Sequence, residues 1–148
     1  MKLELDNISV ELKKSITFNE DLSRYSWFNL GGPSQVFFRP DNLKQLSEFL
    51  IKKGNIFKKI SILGAGSNTL IRDGGISGLT IKLSSKFSYL NLIDDNIIEA
   101  GASTLDKKVS NFAAENSLAG FEFLSCIPGT IGGAIMMNSG CYNQKISD

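Results

Sequence analysis

Between Ser61 and Leu83 the chain reads SILGAGSNTLIRDGGISGLTIKL, five glycines set between two apolar runs. Glycine lacks Cβ, so the backbone can take positive φ and a ligand can approach the main chain, at a cost of about 0.5–1 kcal/mol per residue relative to Ala in a regular element. Such a segment either binds something or turns sharply several times. KKISILG enters it as a short buried strand, and GLTIKL leaves it with Leu79, Ile81 and Leu83 in alternation, so the loop joins strand to strand.

Each familiar nucleotide motif makes a definite demand on this stretch. A P-loop needs a Gly-Lys pair, and the chain has none. A dinucleotide fingerprint needs a helix after its glycines, whereas Gly64-Ala65-Gly66-Ser67-Asn68 is followed by Thr69 and LIRDGG. A nest of backbone amides around one anion needs no helix. Gly64 to Thr69 suits it, with Ser67, Asn68 and Thr69 adding side-chain donors, and Arg72 adding charge or serving as a solvated turn residue. A second stretch, IPGTIGGAIMMNSG, places Pro128 at a helix start, with Gly129 and Thr130 as amide donors. Gly132, Gly133 and Ala134 let that helix approach a ligand or a neighbour with almost no side chain. Two donor-rich loops can pinch a pyrophosphate; the competing reading is two tight turns around a crowded sheet.

Composition narrows the partner. The chain has 148 residues, 16 basic and 15 acidic, for a formal charge of +1. Nothing in that balance steers it to nucleic acid or an anionic membrane, and a small-molecule partner is expected. No apolar run approaches the roughly 20 residues that cross a bilayer, and the start MKLELDNISVELKK lacks a signal-peptide h-region, so a cytoplasmic location is expected. With no histidine, a zinc site, a Ser-His-Asp triad and a Cys-His dyad are unavailable, and no metal is expected. Cys126 and Cys141 are not expected to form a disulfide, and Cys126 reads as a small core residue.

The elements follow from periodicity. The first 35 residues show little, and YSWFNLGGPSQ ends them in a turn. SQVFFRP predicts a strand stopped by Pro40. DNLKQLSEFLIKKG predicts a helix with Leu43, Leu46 and Leu50 as its buried stripe and Phe49 on the flank. Asp41 or Asn42 caps it, Lys52 and Lys53 suit its C-terminal end, and Gly54 suits a left-handed stop. FSYLNLI and NIIEAGA flank a hairpin turn at Asp94, Asp95 and Asn96. A second helix is expected from Ser103 or Thr104, with Ser103 and Asp106 as a capping box and Leu105, Val109, Phe112 and Ala113 as its stripe. Together these predict an α+β fold with a mixed sheet flanked by helices.

SWFNLGGPSQVFFRP, ILGAGSNTLIRDGGISGLTIKL, EAGAS and GFEFLSCIPGTIGGAIMMNSGCY occur in an order and spacing that resemble the FAD-binding domain of the UDP-N-acetylenolpyruvoylglucosamine reductases, also called UDP-N-acetylmuramate dehydrogenases. That flavin fold is shared with vanillyl-alcohol oxidase and p-cresol methylhydroxylase. The resemblance implies a two-subdomain α+β unit over residues 25–148, incomplete at its C-terminal end and without the substrate domain, after an N-terminal segment at 1–24. FAD would lie between the subdomains. Carried over residue by residue, Gly64, Ala65, Gly66, Ser67, Asn68 and Thr69 match the first pyrophosphate loop, and Pro128, Gly129, Thr130, Gly132, Gly133 and Ala134 the second. Asn138, Gly140 and Tyr142 match the segment near the flavin. Asn29 stands where similar proteins usually carry Arg or Lys.

The reaction that the resemblance implies uses NADPH to reduce FAD and then reduces UDP-N-acetylglucosamine enolpyruvate to UDP-N-acetylmuramate, a step of peptidoglycan synthesis. The family's proton-donating Ser, its Arg and a late Glu have no counterparts in this sequence, so no catalytic residue is assigned. Ser125 and Ser139 have no activating base beside them and read as turn or cap residues. The chain alone is expected to bind FAD without turnover, with an exposed apolar face open to self-association. The alternative is a non-catalytic flavin or nucleotide module, or one subunit of a split enzyme.

Overall fold

The computed structural model describes residues 8–147. The chain divides into two units: one holds residues up to Leu63 together with Thr69–Ser84, the other Gly64–Asn68 with Ser85–Asp148.

In the first unit, Val36, Phe37 and Phe38 are all buried, so their strand has a core on each face. This strand runs antiparallel to one at Ile16–Asp21 (β1), and as β2 (Pro33–Phe38) it runs parallel to a later strand at Ile76–Ile81. That later strand, β4, pairs in parallel with β3 (Ile60–Ile62), giving the order β1-β2-β4-β3. The glycine-rich segment is therefore the crossover that a parallel pair requires, made here without a helix. Strand alternation sends Val36, Phe38, Leu79 and Ile81 to one face, where they pack with Ile8, Leu12, Phe49 and Phe57. Phe37 points the other way, to Leu22, Leu63 and Ile71.

Helix α1 (Val10–Lys14), which the weak periodicity concealed, brings Leu12 to the first core. Helix α2 (Leu43–Lys53) is capped as expected, with Asn42 Oδ1 accepting from Gln45 N–H at 2.9 Å. Its stripe is centred differently from the expectation. Phe49 is fully buried, its ring stacked on Phe38 at 4.2 Å, whereas Leu43 is 71% exposed. Aromatic stacking on the sheet sets the rotation of the helix, and leucine spacing alone does not reveal it. Gly54 is right-handed (φ −57°, ψ −37°), not a left-handed stop, because the chain continues into a 3₁₀ turn at Gly54–Ile56.

The second unit contains the expected hairpin, β5 (Leu90–Asp94) with β6 (Ile97–Ala100). Helix α3 (Asp106–Glu115) starts later than expected, and neither Ser103 nor Leu105 caps it by a side chain. The preceding residues are committed elsewhere: Ser103 N–H donates to the Phe87 carbonyl, and the Thr104 hydroxyl donates to the Tyr89 carbonyl while accepting from its N–H. Leu105, expected in the buried stripe, is 45% exposed. Val109 packs with Phe123 and Leu124 of a 3₁₀ helix at Glu122–Cys126, and Leu90, Ala100, Ile127 and Ile131 surround them. A helix α4 (Ile131–Met137) and a small ladder, β7 (Gly140–Cys141) with β8 (Gln144–Lys145), complete the unit.

Cys126 and Cys141 are joined by a disulfide, against the expectation from sequence. Cys126 is exposed, so it is not a core residue; Cys141 is half-buried and packs on the core of this unit. A separation of 15 residues gives no hint of proximity, but α4 leads the chain out and β7 brings it back beside the 3₁₀ helix.

Candidate functional site

The first glycine loop bares its backbone. Gly66 takes φ +75°, open to glycine at no steric cost. The N–H groups of Ala65, Gly66, Ser67 and Asn68 donate no hydrogen bond to any described residue. Thr69, expected in the same loop, falls in the first unit, where its carbonyl accepts from the Ser26 hydroxyl at 3.4 Å. Arg72 is exposed, and its carbonyl accepts from Gly32 and Gly75 N–H at 3.0 and 2.9 Å, which makes it a turn residue.

The second loop is fastened to the segment before α3 as an antiparallel pair. Leu105 and Thr130 form an isolated bridge, Asp106 N–H donates to the Gly129 carbonyl at 3.2 Å, and Ile131 N–H donates to the Thr104 carbonyl at 2.9 Å. Gly132 N–H donates to the Ala102 carbonyl at 3.0 Å, and Gly129 N–H to that of Ile127 at 2.9 Å. The N–H groups of Thr130 and Gly133 remain without a partner among the described residues. The helix opens at Ile131, three residues beyond Pro128, because this pairing holds the chain extended through Thr130.

Glycine's missing side chain has different uses at different positions here. A Cβ on Gly132 would lie 3.0 Å from the Ala102 carbonyl oxygen, so that glycine serves packing. A Cβ on Gly64 would meet only Thr130 Oγ1, at 3.3 Å, and one on Gly133 only the same atom, at 3.5 Å. Two glycines from distant parts of the chain thus flank one hydroxyl, and that hydroxyl makes no capping bond to α4. Bare backbone, unpaired amides from both loops and a free-standing hydroxyl make a cradle that fits the diphosphate of a dinucleotide.

Asp106, read from sequence as a capping residue, is fully buried, and neither carboxyl oxygen has a hydrogen-bond partner among the described residues. Burial pushes its carboxyl up from the ordinary 3.8 to about 6. Its Oδ2 lies 2.7 Å from where a Cβ on Gly129 would stand. No signal in the sequence separates it from an exposed helix-start aspartate.

The residues matched to the flavin side have structural uses as well. Asn138 ends α4 in the left-handed conformation, and its Oδ1 accepts from Ser147 N–H at 3.1 Å. Gly140 admits the Gln144 carbonyl, which would stand 2.5 Å from a Cβ, and Tyr142 and Asn143 form the hairpin tip with φ of +53° and +62°. Tyr142 is 76% exposed. Ser139 N–H closes the helix end on the Ala134 carbonyl, while Ser125 lies exposed in the 3₁₀ helix. Asn29 has φ +52°, a conformation that suits asparagine better than most residues. Among the described residues, no three His, Cys, Asp or Glu side chains gather to hold a metal, and no helix is long and apolar enough to cross a membrane.

The chain is 50% identical over 145 residues to the UDP-N-acetylenolpyruvoylglucosamine reductase of Pelagibacter ubique, covering 98% of this chain and 48% of that protein. It is 47% identical over 150 residues to the enzyme of the same name from Orientia tsutsugamushi strain Ikeda, covering 99% and 48%. The crystal structure of the UDP-N-acetylenolpyruvylglucosamine reductase of Thermus caldophilus superposes with a TM-score of 0.69 at 27% identity, over 90% of this chain and 45% of that one. The chain thus spans about half the length of the relatives it matches. The family described as FAD binding domain matches residues 34–148, and the chain belongs to that family.

Proposed function

We propose that this chain is the flavin-holding half of a UDP-N-acetylenolpyruvoylglucosamine reductase, with residues 25–148 as its FAD-binding domain. The observation that carries the reading is the convergence of Gly64 and Gly133 on the Thr130 hydroxyl, with unpaired amides on both loops. The names of the relatives supply the reaction. The FAD diphosphate would be held by the amides of Ala65, Gly66, Ser67 and Asn68 on one side and by those of Thr130 and Gly133, with the Thr130 hydroxyl, on the other; the bare backbone at Gly64 would give it room. Asn138, Gly140 and Tyr142 would stand beside the flavin. Bound FAD would carry a hydride from NADPH to one carbon of the enolpyruvyl double bond of UDP-N-acetylglucosamine enolpyruvate, while the other carbon takes a proton, giving UDP-N-acetylmuramate for peptidoglycan synthesis.

The protein's part in this half is anchoring. Fixed amides replace the water that solvates the diphosphate, and the bare glycines keep side chains out of that space. The chain works in the cytoplasm on small molecules, without nucleic acid or membrane as partner. The 148-residue chain binds FAD without turning over the sugar. Ile135, Met136 and Met137, exposed by 60%, 84% and 64%, leave the end of α4 an apolar surface through which copies of the chain self-associate.

The test is an absorbance spectrum of the purified chain from about 300 to 550 nm, a range set by the flavin chromophore, with heat-released cofactor identified by chromatography. FAD at close to one per chain is expected, with no NADPH oxidation on adding the sugar. A chain that neither carries nor takes up FAD contradicts the reading, and steady turnover contradicts the assignment of this chain to the anchoring half alone.

A further inference from the structure

Among the described residues Asp106 is the one fully buried carboxyl, and the cofactor reading gives it no role. Its surroundings are specific. The backbone of Asp106 is bonded to the Gly129 carbonyl, and its side chain fills the space that any residue but glycine would need at position 129. Gly129 has no positive φ, so the demand for glycine there is one of space alone. A buried carboxyl with two unpartnered oxygens costs less when neutral than when ionised.

We propose that Asp106 is a positioning residue of the second glycine loop, acting through Gly129, and that binding of the cofactor's diphosphate is coupled to uptake of one proton by its carboxyl. The inference rests on the assignment of the diphosphate to this loop. The step balances simply: a carboxylate plus a proton from solvent becomes a carboxylic acid, and no other bond changes. An anion entering a loop already lined by a carboxylate meets like-charge repulsion in a poorly solvated place, and protonation removes it.

The groups that could compete are few. Residues 101–105 and 127–131, which flank Asp106, carry no titratable side chain, and residues 64–68 of the first loop carry none. On α3 itself Lys107 and Lys108 are exposed, and on the packed 3₁₀ helix the exposed Glu122 accepts from Gly120 N–H at 2.8 Å. Burial is the cause of the raised carboxyl, with no charged neighbour contributing. The chain has no histidine to titrate in the neutral range.

The experiment is calorimetric titration of FAD into the cofactor-free chain at several pH values, in buffers of differing ionisation enthalpy, for the wild type and Asp106→Asn. The wild type is expected to take up more than about half a proton per FAD near pH 7, with affinity falling about tenfold between roughly pH 6.5 and 8. Asp106→Asn is expected to bind FAD without proton uptake and with a flat profile, a result that a purely structural role does not give. FAD binding by the wild type without net proton uptake overturns the inference and leaves the cofactor reading standing. Equal proton uptake in Asp106→Asn overturns it as well. Absence of FAD binding to the wild type at every pH overturns the cofactor reading, and this inference with it.

Discussion

Gly64 and Thr130 touch: a Cβ on the glycine would stand 3.3 Å from the threonine Oγ1. The contact joins the two glycine-rich loops within one unit, although more than sixty residues separate them in the chain. A Cβ on Gly133, three residues on in α4, would stand 3.5 Å from the same hydroxyl. The cofactor reading requires main chain free of side chains at both positions.

Gly133→Ala separates fold from ligand. Gly133 lies inside α4, where alanine is favoured by about 0.5–1 kcal/mol. The new methyl meets only Thr130 Oγ1, at 3.5 Å, an ordinary contact. Urea unfolding of the cofactor-free variant should show equal or higher stability than the wild type. Its FAD affinity should fall, by about tenfold if a single hydrogen bond to the diphosphate is lost. Unchanged affinity would remove Gly133 from the site.

Asp106 should make stability depend on pH. Its folded carboxyl titrates at about 6 against an ordinary 3.8, so between those values the folded chain binds more protons than the unfolded chain. Stability contributed here is present below the lower value, is lost as pH rises through the window and stays lost above it. The full penalty is about 3 kcal/mol, from roughly two pKa units at 1.4 kcal/mol each. Asp106→Asn should be the more stable protein near pH 7 and should lose this slope, as read by unfolding curves between pH 4 and 7. A wild type without such a slope would mean that the carboxyl is solvated or paired.

Gly129→Ala should depend on Asp106. In the wild type the added Cβ falls 2.7 Å from Oδ2 and must displace a buried carboxyl, an overpacking cost of about 1–3 kcal/mol. In an Asp106→Ala background the same substitution should cost well under about 1 kcal/mol. Additive effects in this double-mutant cycle would contradict the contact.

The Cys126–Cys141 bridge spans 15 residues and encloses the second loop and α4. Chain-entropy arguments give a bridge of that span about 3 kcal/mol. Under oxidising conditions Cys141→Ser should be destabilised by that order, and a thiol reductant should bring the wild type close to the variant. Two titratable thiols in oxidised native protein would contradict the bridge.

The sequence carried the elements that depend on local pattern. Alternation at Leu79 and Ile81 marked a strand, Asp41 or Asn42 marked a cap that Asn42 makes, and Asp94, Asp95 and Asn96 marked a hairpin turn. It misjudged what depends on distant partners. Phe49 owes its burial to Phe38, the late start of α3 owes to the bonds of Ser103 and Thr104 with Phe87 and Tyr89, and the disulfide owes to the return of the chain after α4. The two loops were legible as donor-rich backbone because glycine and small polar residues advertise themselves. Their adjacency and the buried Asp106 were not, because both are made by residues with no distinctive local pattern.

The most direct measurement is titration of FAD into the cofactor-free chain, compared with Gly64→Val and Gly133→Ala, with unfolding curves for all three. The account predicts one FAD per chain for the wild type and an affinity lower by about tenfold or more for both variants, while Gly133→Ala unfolds no more easily than the wild type. FAD binding of equal affinity in all three, or no binding to the wild type, would contradict it.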